Sequence, residues 1–161
     1  MRLEHYDQWD SYRVNLTDSE RQVFEDHIER TDTVRAWKLA SLCGLRRGEI
    51  GFVRYKDLYQ RETGDWILRV WEDGAKRSKY RETPVPDSFA VELRTIKEEV
   101  ADVSPDDQIV SMSMRTVSRD IRAVAESLGV VEDDGYHYVR LHDGRRTWAQ
   151  NLIEQDVEPL Q

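Results

Sequence analysis

Two arginines and a histidine stand at positions where a protein chain can hold an anion. His142 and Arg145 open a stretch of helical apolar spacing, and Arg46 follows Gly44, which ends a hydrophobic run. A guanidinium group binds phosphate oxygens as a fork, and an imidazole exchanges a proton near neutral pH. These three side chains are therefore a candidate binding site for a phosphodiester.

Charge is unevenly distributed along the chain. The 161 residues carry 32 acidic and 24 basic side chains, and the net charge of −8 argues at first against nucleic acid. Acidic residues gather in segments 18–29, 98–107, 132–134 and 154–158. Basic residues gather elsewhere, in Arg46/Arg47/Arg54/Lys56, residues 76–81, Arg115/Arg119/Arg122 and Arg140/Arg145/Arg146. A basic DNA-binding face can therefore coexist with an acidic back.

Composition excludes several classes of protein. Hydrophobic residues make up 39% and charged residues 35% of the chain, which is typical of one soluble domain. No apolar run suits a membrane span or a signal peptide, so we expect a cytoplasmic protein without a membrane partner. The single cysteine, Cys43, excludes an internal disulfide and a cysteine-ligated zinc site. It lies in an apolar run, which predicts a buried side chain.

Helices must position Arg46. Residues 1–16 lack periodicity and are predicted to form a lead-in or linker. A capping box at residues 17–20 starts the first helix. A second helix, over roughly residues 33–43, is apolar on nearly every side, which predicts a central buried helix ending at Gly44. A short helix then begins near Arg46 or Arg47.

The middle of the chain has the pattern of a sheet. Residues 55–61, 66–71 and 79–85 are rich in aromatic and β-branched side chains and are separated by turn residues. This pattern predicts a three-stranded antiparallel sheet. Helical spacing returns in residues 89–100 and 117–128.

The last predicted helix starts near His142 and turns Trp148, Leu152 and Ile153 inward. The order of elements predicts an α+β fold that is mainly α-helical, with helices packed around the small sheet.

Three motifs, in this order, resemble those of the tyrosine recombinase, or phage-integrase, catalytic domain. Residues 42–50 resemble the first-arginine motif, with Cys43 in place of the usual threonine. Residues 76–84 resemble the β-hairpin lysine motif. Residues 142–148 resemble the His-x-x-Arg box, with Gly144 where a leucine is usual. The resemblance implies an integrase catalytic-domain-like fold.

The resemblance also implies a role for each residue in metal-free, cofactor-free phosphoryl transfer on double-stranded DNA. Arg46 and Arg145 would hold the non-bridging phosphate oxygens, where preorganised charge is worth on the order of 100- to 1000-fold in rate per donor. His142 would donate to a phosphate oxygen or assist proton transfer from the nucleophile, and Glu49 would orient the Arg46 region. A hairpin lysine, Lys76 in preference to Lys79 by its position in the motif, would protonate the leaving oxygen. Further DNA contacts are expected from seven basic residues, which are Arg47, Lys79, Arg81, Arg115, Arg119, Arg122 and Arg146.

The nucleophile of this family is a tyrosine that follows the His-x-x-Arg box. No tyrosine lies beyond Tyr138 in this sequence. We therefore expect residues 17–161 to be a partial catalytic domain for site-specific recombination or integration, unable to cleave DNA alone. A full-length protein would act as a tetramer on DNA, whereas this chain would be a monomer.

Other interpretations of the same residues remain open. The chain could be a non-catalytic DNA-binding relative that regulates recombination or transcription, or an interaction module without a nucleic-acid partner. Arg46 could be a surface arginine at a helix end, Lys76 an ordinary turn lysine, and His142 a helix cap with Asp143.

Overall fold

The computed structural model describes residues 1–6, 11–71 and 80–157. The helices are α1 (Asp18–Asp26), α2 (Thr31–Cys43), α3 (Arg47–Ile50), α4 (Asp87–Glu99), α5 (Met114–Val131) and α6 (Leu141–Val157). The strands are β1 (Arg2–His5), β2 (Tyr12–Asn15), β3 (Leu58–Gln60), β4 (Trp66–Trp71) and β5 (Tyr80–Val85). Short 3₁₀ turns cover Tyr55–Asp57 and Asp134–Tyr138. The predicted α+β class, mainly helical with a small antiparallel sheet, is confirmed.

Helix α2 lies at the centre of the core. Its Trp37 is fully buried and packs against Phe24 of α1, with 4.5 Å between the ring centroids. Helix α6 approaches α2 closely at Gly144. A Cβ atom at this glycine would stand only 3.2 Å from the Cβ of Ala40 and 3.3 Å from the Trp37 ring. The predicted central buried helix is thus confirmed, and a leucine at position 144 would not fit without rearrangement.

The three-stranded sheet has the order β3-β4-β5 and is antiparallel throughout. Residues 55–57, which we expected to begin the first strand, form a 3₁₀ turn instead. Along β5 the exposure of side chains alternates, so that Thr83 is buried and Glu82 exposed. This period of two places Arg81 and Thr83 on the same face of the strand.

Residues 1–16, expected to be a lead-in, contain a β-ribbon in the part that the structure describes. Strand β1 pairs with β2 in antiparallel register, from Arg2 opposite Asn15 to His5 opposite Tyr12. All four residues of β1 are exposed, whereas Val14 of β2 is fully buried. A strand with so little apolar burial has no clear hydrophobic pattern, which is why the sequence did not predict it.

The end of α6 differs from our prediction. Leu152 and Ile153 were expected to face inward, but their exposed fractions are 39% and 56%. Gly144 packs against α2, and Trp148, one turn later, already lies against Gly44, just after the last residue of α2. The following turns of α6 therefore extend past the helix that buries its beginning. None of the described helices is both long and apolar enough to cross a membrane.

Candidate active site

The carboxyl end of α2 organises the candidate site. Gly44 adopts a left-handed conformation, with φ of 75°. The amides of Gly44 and Leu45 bond back to the carbonyls of Ala40 and Leu39, at 3.1 and 3.0 Å. This is the usual glycine-terminated helix end. It leaves the last carbonyl groups of α2 available to side chains from elsewhere in the fold.

Two arginines bond to the carbonyl oxygen of Gly44. Arg145 of α6 donates from Nε at 3.0 Å, and Arg81 of β5 donates from Nη2 at 3.2 Å. Thr83 donates its hydroxyl to the preceding carbonyl, of Cys43, at 2.7 Å. Cations are favourable at the carboxyl end of a helix, where they satisfy its unpaired carbonyls and complement its dipole. One helix end therefore fixes side chains from β5 and α6.

Glu49 connects this helix end to Arg46. Its Oε1 accepts the backbone N–H of Arg46 at 2.8 Å and the Nη2 of Arg81 at 2.8 Å. Glu49 is 8% exposed, so its charge is held largely out of water and needs these partners. The carboxylate thus fixes the backbone of Arg46 at the start of α3, next to the arginines on Gly44.

His142 stands in the first turn of α6, three residues before Arg145. Its pKa lies below the ordinary value, first because of partial burial and then because of the charges of Arg146, Arg145 and Arg46. Burial also lowers the pKa of Arg145, followed by the charges of Arg46 and Arg81. The guanidinium of Arg145 nevertheless stays protonated at neutral pH. Arg145 is bonded to Gly44 at the end of α2, and Arg46 follows only two residues after Gly44, so the fold places both arginines and the first turn of α6 at this helix end.

The three groups are free to bind a ligand. Among the described residues, the Arg46 guanidinium, the Nη atoms of Arg145 and the His142 ring have no hydrogen-bond partner. Concentrated positive charge with unused donors is suited to an anion with several oxygens, such as a phosphodiester. No group of three or more His, Cys, Asp or Glu side chains in the described ranges is arranged to hold a metal ion.

The remaining predicted residues have different surroundings. Lys76 and Lys79 lie outside the described residues. Arg81 is half-buried and paired with Glu49 and the carbonyl of Gly44. Arg146 donates to the Tyr6 hydroxyl at 3.1 Å and lies 3.5 Å from Asp143.

The other predicted DNA contacts are exposed. Arg47 lies at the start of α3. Three arginines with spacing i, i+4 and i+7 share one face of α5, and these are Arg115, Arg119 and Arg122. Arg122 makes an ion pair with Glu126 at 3.4 Å.

Sequence reasoning missed the groups that hold the site together. It singled out Gly44 as a helix end but not its carbonyl oxygen as the acceptor for two arginines. It named Asp143 only as a helix cap, and did not reveal that the buried Asp143 and Thr147 of α6 bond to Val14 of β2 and to Leu16, the residue after β2. Their separation of four residues on one helix face was the available signal, but it has meaning only once a strand is known to lie beside that face.

The fold is similar to solved structures of site-specific recombinases. The XerA recombinase matches with a TM-score of 0.64 and 19% identity, over 88% of this chain and 51% of that one. The XerH site-specific recombinase in a pre-cleavage complex with difH substrate matches with a TM-score of 0.59 and 20% identity, over 89% and 44%. The Tn1549 transposon integrase in complex with circular intermediate DNA matches with a TM-score of 0.55 and 17% identity, over 91% and 54%.

The chain thus spans about half the length of the solved recombinases it matches. The sequence itself matches no protein-family model and no curated protein. The structural likeness confirms the predicted fold, which is like that of the tyrosine recombinase catalytic domain.

Proposed function

We propose that this chain forms the phosphate-activating part of a tyrosine-recombinase-type active site, which acts on double-stranded DNA in site-specific recombination or integration. The observation that carries the proposal is the cluster of Arg46, His142 and Arg145 around the carboxyl end of α2. These are the residues that the sequence motifs single out. Arg145 is bonded to Gly44, and the charges of Arg46 and Arg145 both lower the pKa of His142.

The chemistry follows from the properties of these groups. Arg46 and Arg145 would bind the non-bridging oxygens of the scissile phosphate and neutralise the charge that grows on them in the transition state. His142, whose pKa is lowered, would be neutral at pH 7 and could accept the proton of an attacking hydroxyl. Lys76 would protonate the leaving 5′ oxygen. Arg46 and Arg145 supply the charge stabilisation that a metal ion supplies in other phosphoryl-transfer enzymes.

The attacking tyrosine is assigned to no residue of this chain. Tyr136 is buried, and burial raises the pKa of its hydroxyl, which disfavours a nucleophilic role. The Tyr6 hydroxyl accepts a hydrogen bond from Arg146. We therefore propose that residues 1–161 bind DNA and activate a phosphate, but do not cleave a strand alone.

The proposal is tested by DNA binding of arginine variants. Arg46→Ala and Arg145→Ala should each weaken binding to duplex DNA by about tenfold, because each loses a charge-assisted contact to phosphate. The affinity is measured by fluorescence anisotropy at fixed ionic strength, with EDTA present. The matched control is Arg94→Ala, since Arg94 is an exposed arginine of α4 that lies over the Trp66 ring. If the three variants bind DNA equally well, the proposed site is wrong.

A further inference from the structure

One face of α6 is bonded to β2, along the edge that does not pair with β1, and to Leu16 directly after β2. The backbone N–H of Val14 donates to Oδ1 of Asp143 at 3.0 Å, and the N–H of Leu16 donates to the Thr147 hydroxyl at 3.1 Å. Asp143 is 4% exposed and Thr147 is fully buried. Two polar side chains of α6, the helix that carries His142 and Arg145, therefore form hydrogen bonds with the ribbon segment.

The spacing of these bonds fits the two elements. Alternate amides of a strand point to the same side and are separated by about 6.6 Å. Residues four apart on a helix lie on one face and are separated by about 6 Å along its axis. Asp143 and Thr147 can therefore bond to Val14 and Leu16 together when α6 runs along β2. These side chains satisfy amides that would otherwise be unpaired at a strand edge.

The bonds to the ribbon hold α6 from a second side. On another face, Gly144 and Trp148 pack against α2 and Gly44. Contact with a single helix still allows α6 to roll about its own axis, and such a roll would move His142 and Arg145 relative to Arg46. The ribbon opposes this motion.

Two further bonds strengthen the same link. The second carboxylate oxygen of Asp143 accepts the backbone N–H of Arg140 at 2.8 Å, and so fixes the start of α6 next to His142. Arg146, which follows Arg145, donates to the hydroxyl of Tyr6, the residue after β1. The bonds therefore reach Asp143, which directly follows His142, and Arg146, which directly follows Arg145.

We propose that Asp143 and Thr147 are positioning residues, through which the ribbon β1–β2 sets the position of His142 and Arg145 relative to Arg46. This inference rests on the proposed function. It adds that the described strands β1 and β2, with Leu16, help to form the site rather than a linker in front of it.

The test compares Thr147→Val, which removes the acceptor and keeps the shape, with Thr147→Ser, which keeps the acceptor. Three quantities are measured: hydrogen exchange of the Leu16 amide, the pKa of His142 by NMR, and affinity for duplex DNA at fixed ionic strength. Thr147→Val should speed exchange at Leu16 by about five- to tenfold, as expected for one lost buried hydrogen bond. It should also raise the pKa of His142 toward the ordinary value and weaken DNA binding several-fold.

Thr147→Ser should restore all three quantities. The matched control is Thr33→Val. Thr33 is also fully buried, and its hydroxyl bonds to Asp120 at 2.7 Å near the opposite end of α2. Its loss should leave the His142 pKa and the DNA affinity unchanged. If Thr147→Val does not fold, Asp143→Asn replaces it. This variant loses one of the two acceptor oxygens and should move the quantities in the same direction.

The positioning role is overturned if Thr147→Val speeds exchange at Leu16 while the His142 pKa and the DNA affinity stay at their wild-type values. The ribbon would then be only a structural attachment. If the wild-type chain does not bind DNA, the proposed function fails. The His142 pKa and the exchange rate would still decide whether the ribbon positions α6.

Discussion

At the scale of the residue, the site depends on which groups are already paired. Arg81 and Arg145 both donate to Gly44, but Arg81 is also held by Glu49, whereas the Nη atoms of Arg145 have no hydrogen-bond partner in the described part of the chain. An arginine with satisfied donors serves as a support, and one with unused donors can receive a ligand. This distinction separates Arg81 from Arg46 and Arg145, although all three are basic residues of predicted motifs.

The pKa of His142 reports on the arginines that surround it. Partial burial and the charges of Arg146, Arg145 and Arg46 lower its pKa. We expect a histidine pKa below about 6.5, the value of a free histidine, and an increase when duplex DNA brings a negative phosphate beside the ring. The measurement is a ¹H–¹³C NMR titration with and without DNA, with the signal assigned through His142→Gln. A pKa that does not change on DNA binding would remove His142 from the phosphate site.

The same shift has a consequence for stability. The unfolded chain binds the proton of His142 at a higher pH than the folded chain, because the folded pKa is the lower one. Neutral His142 therefore makes its full contribution to the free energy of unfolding at pH values above the pKa that His142 has in the unfolded chain. This contribution is lost as the pH falls from there toward the folded pKa. His142→Gln should make urea unfolding less sensitive to pH across that interval.

At the scale of the element, the end of α2 matters more than its length. Gly44 has φ of 75°, and a Cβ atom there would lie 2.4 Å from the Trp148 ring. Gly64, in the turn before β4, also has a positive φ, of 95°, but nothing lies within 4 Å of its Cβ position. Both glycines adopt a backbone conformation with positive φ, but only at Gly44 would a Cβ atom also clash with a neighbouring side chain.

Alanine at these two glycines should therefore have unequal effects. Gly64→Ala should lower the free energy of unfolding by about 1–2 kcal/mol, the cost of a left-handed backbone at a residue with a Cβ atom. Gly44→Ala has the same backbone cost, and its Cβ atom must also push aside the ring of Trp148, a residue of α6. We therefore expect the free energy of unfolding to fall by about 3 kcal/mol or more. Urea unfolding followed by tryptophan fluorescence measures both. Equal losses would mean that the contact between α6 and the end of α2 is loose.

Elements were predicted from the sequence where periodicity was strong. Helix α2, apolar on nearly every side, and strand β4 were identified correctly. The ribbon β1–β2 was not, because its exposed β1 has no hydrophobic pattern and its bonds to Asp143 and Thr147 join residues far along the chain. The inward direction of Leu152 and Ile153 was wrong for a related reason, since α2 ends before it can cover them. Sequence motifs indicated Arg46, His142 and Arg145, but only the fold reveals what holds them.

At the scale of the whole molecule, the chain has a net charge of −8, and the candidate site is a small cationic region within it. Long-range repulsion between this chain and DNA is screened within about 10 Å at 0.1 M salt, whereas direct contacts with phosphate persist. The proposed DNA binding must then depend on local arginines. We propose Arg46 and Arg145 at the site, with the exposed arginines of α5 as a second contact. Each phosphate contact releases counterions, so the number of contacts can be read from the salt dependence of affinity.

The salt dependence of binding tests the proposed DNA-binding surface as a whole. The slope of log K against log salt concentration should become shallower by about 1 for Arg145→Ala, and by about 1 for Arg119→Ala, because each removes one phosphate contact. Arg94→Ala should leave the slope unchanged. The slopes come from anisotropy titrations between about 50 and 200 mM salt. An Arg119→Ala slope equal to that of Arg94→Ala would exclude α5 from the interface and leave the end of α2 as the DNA contact.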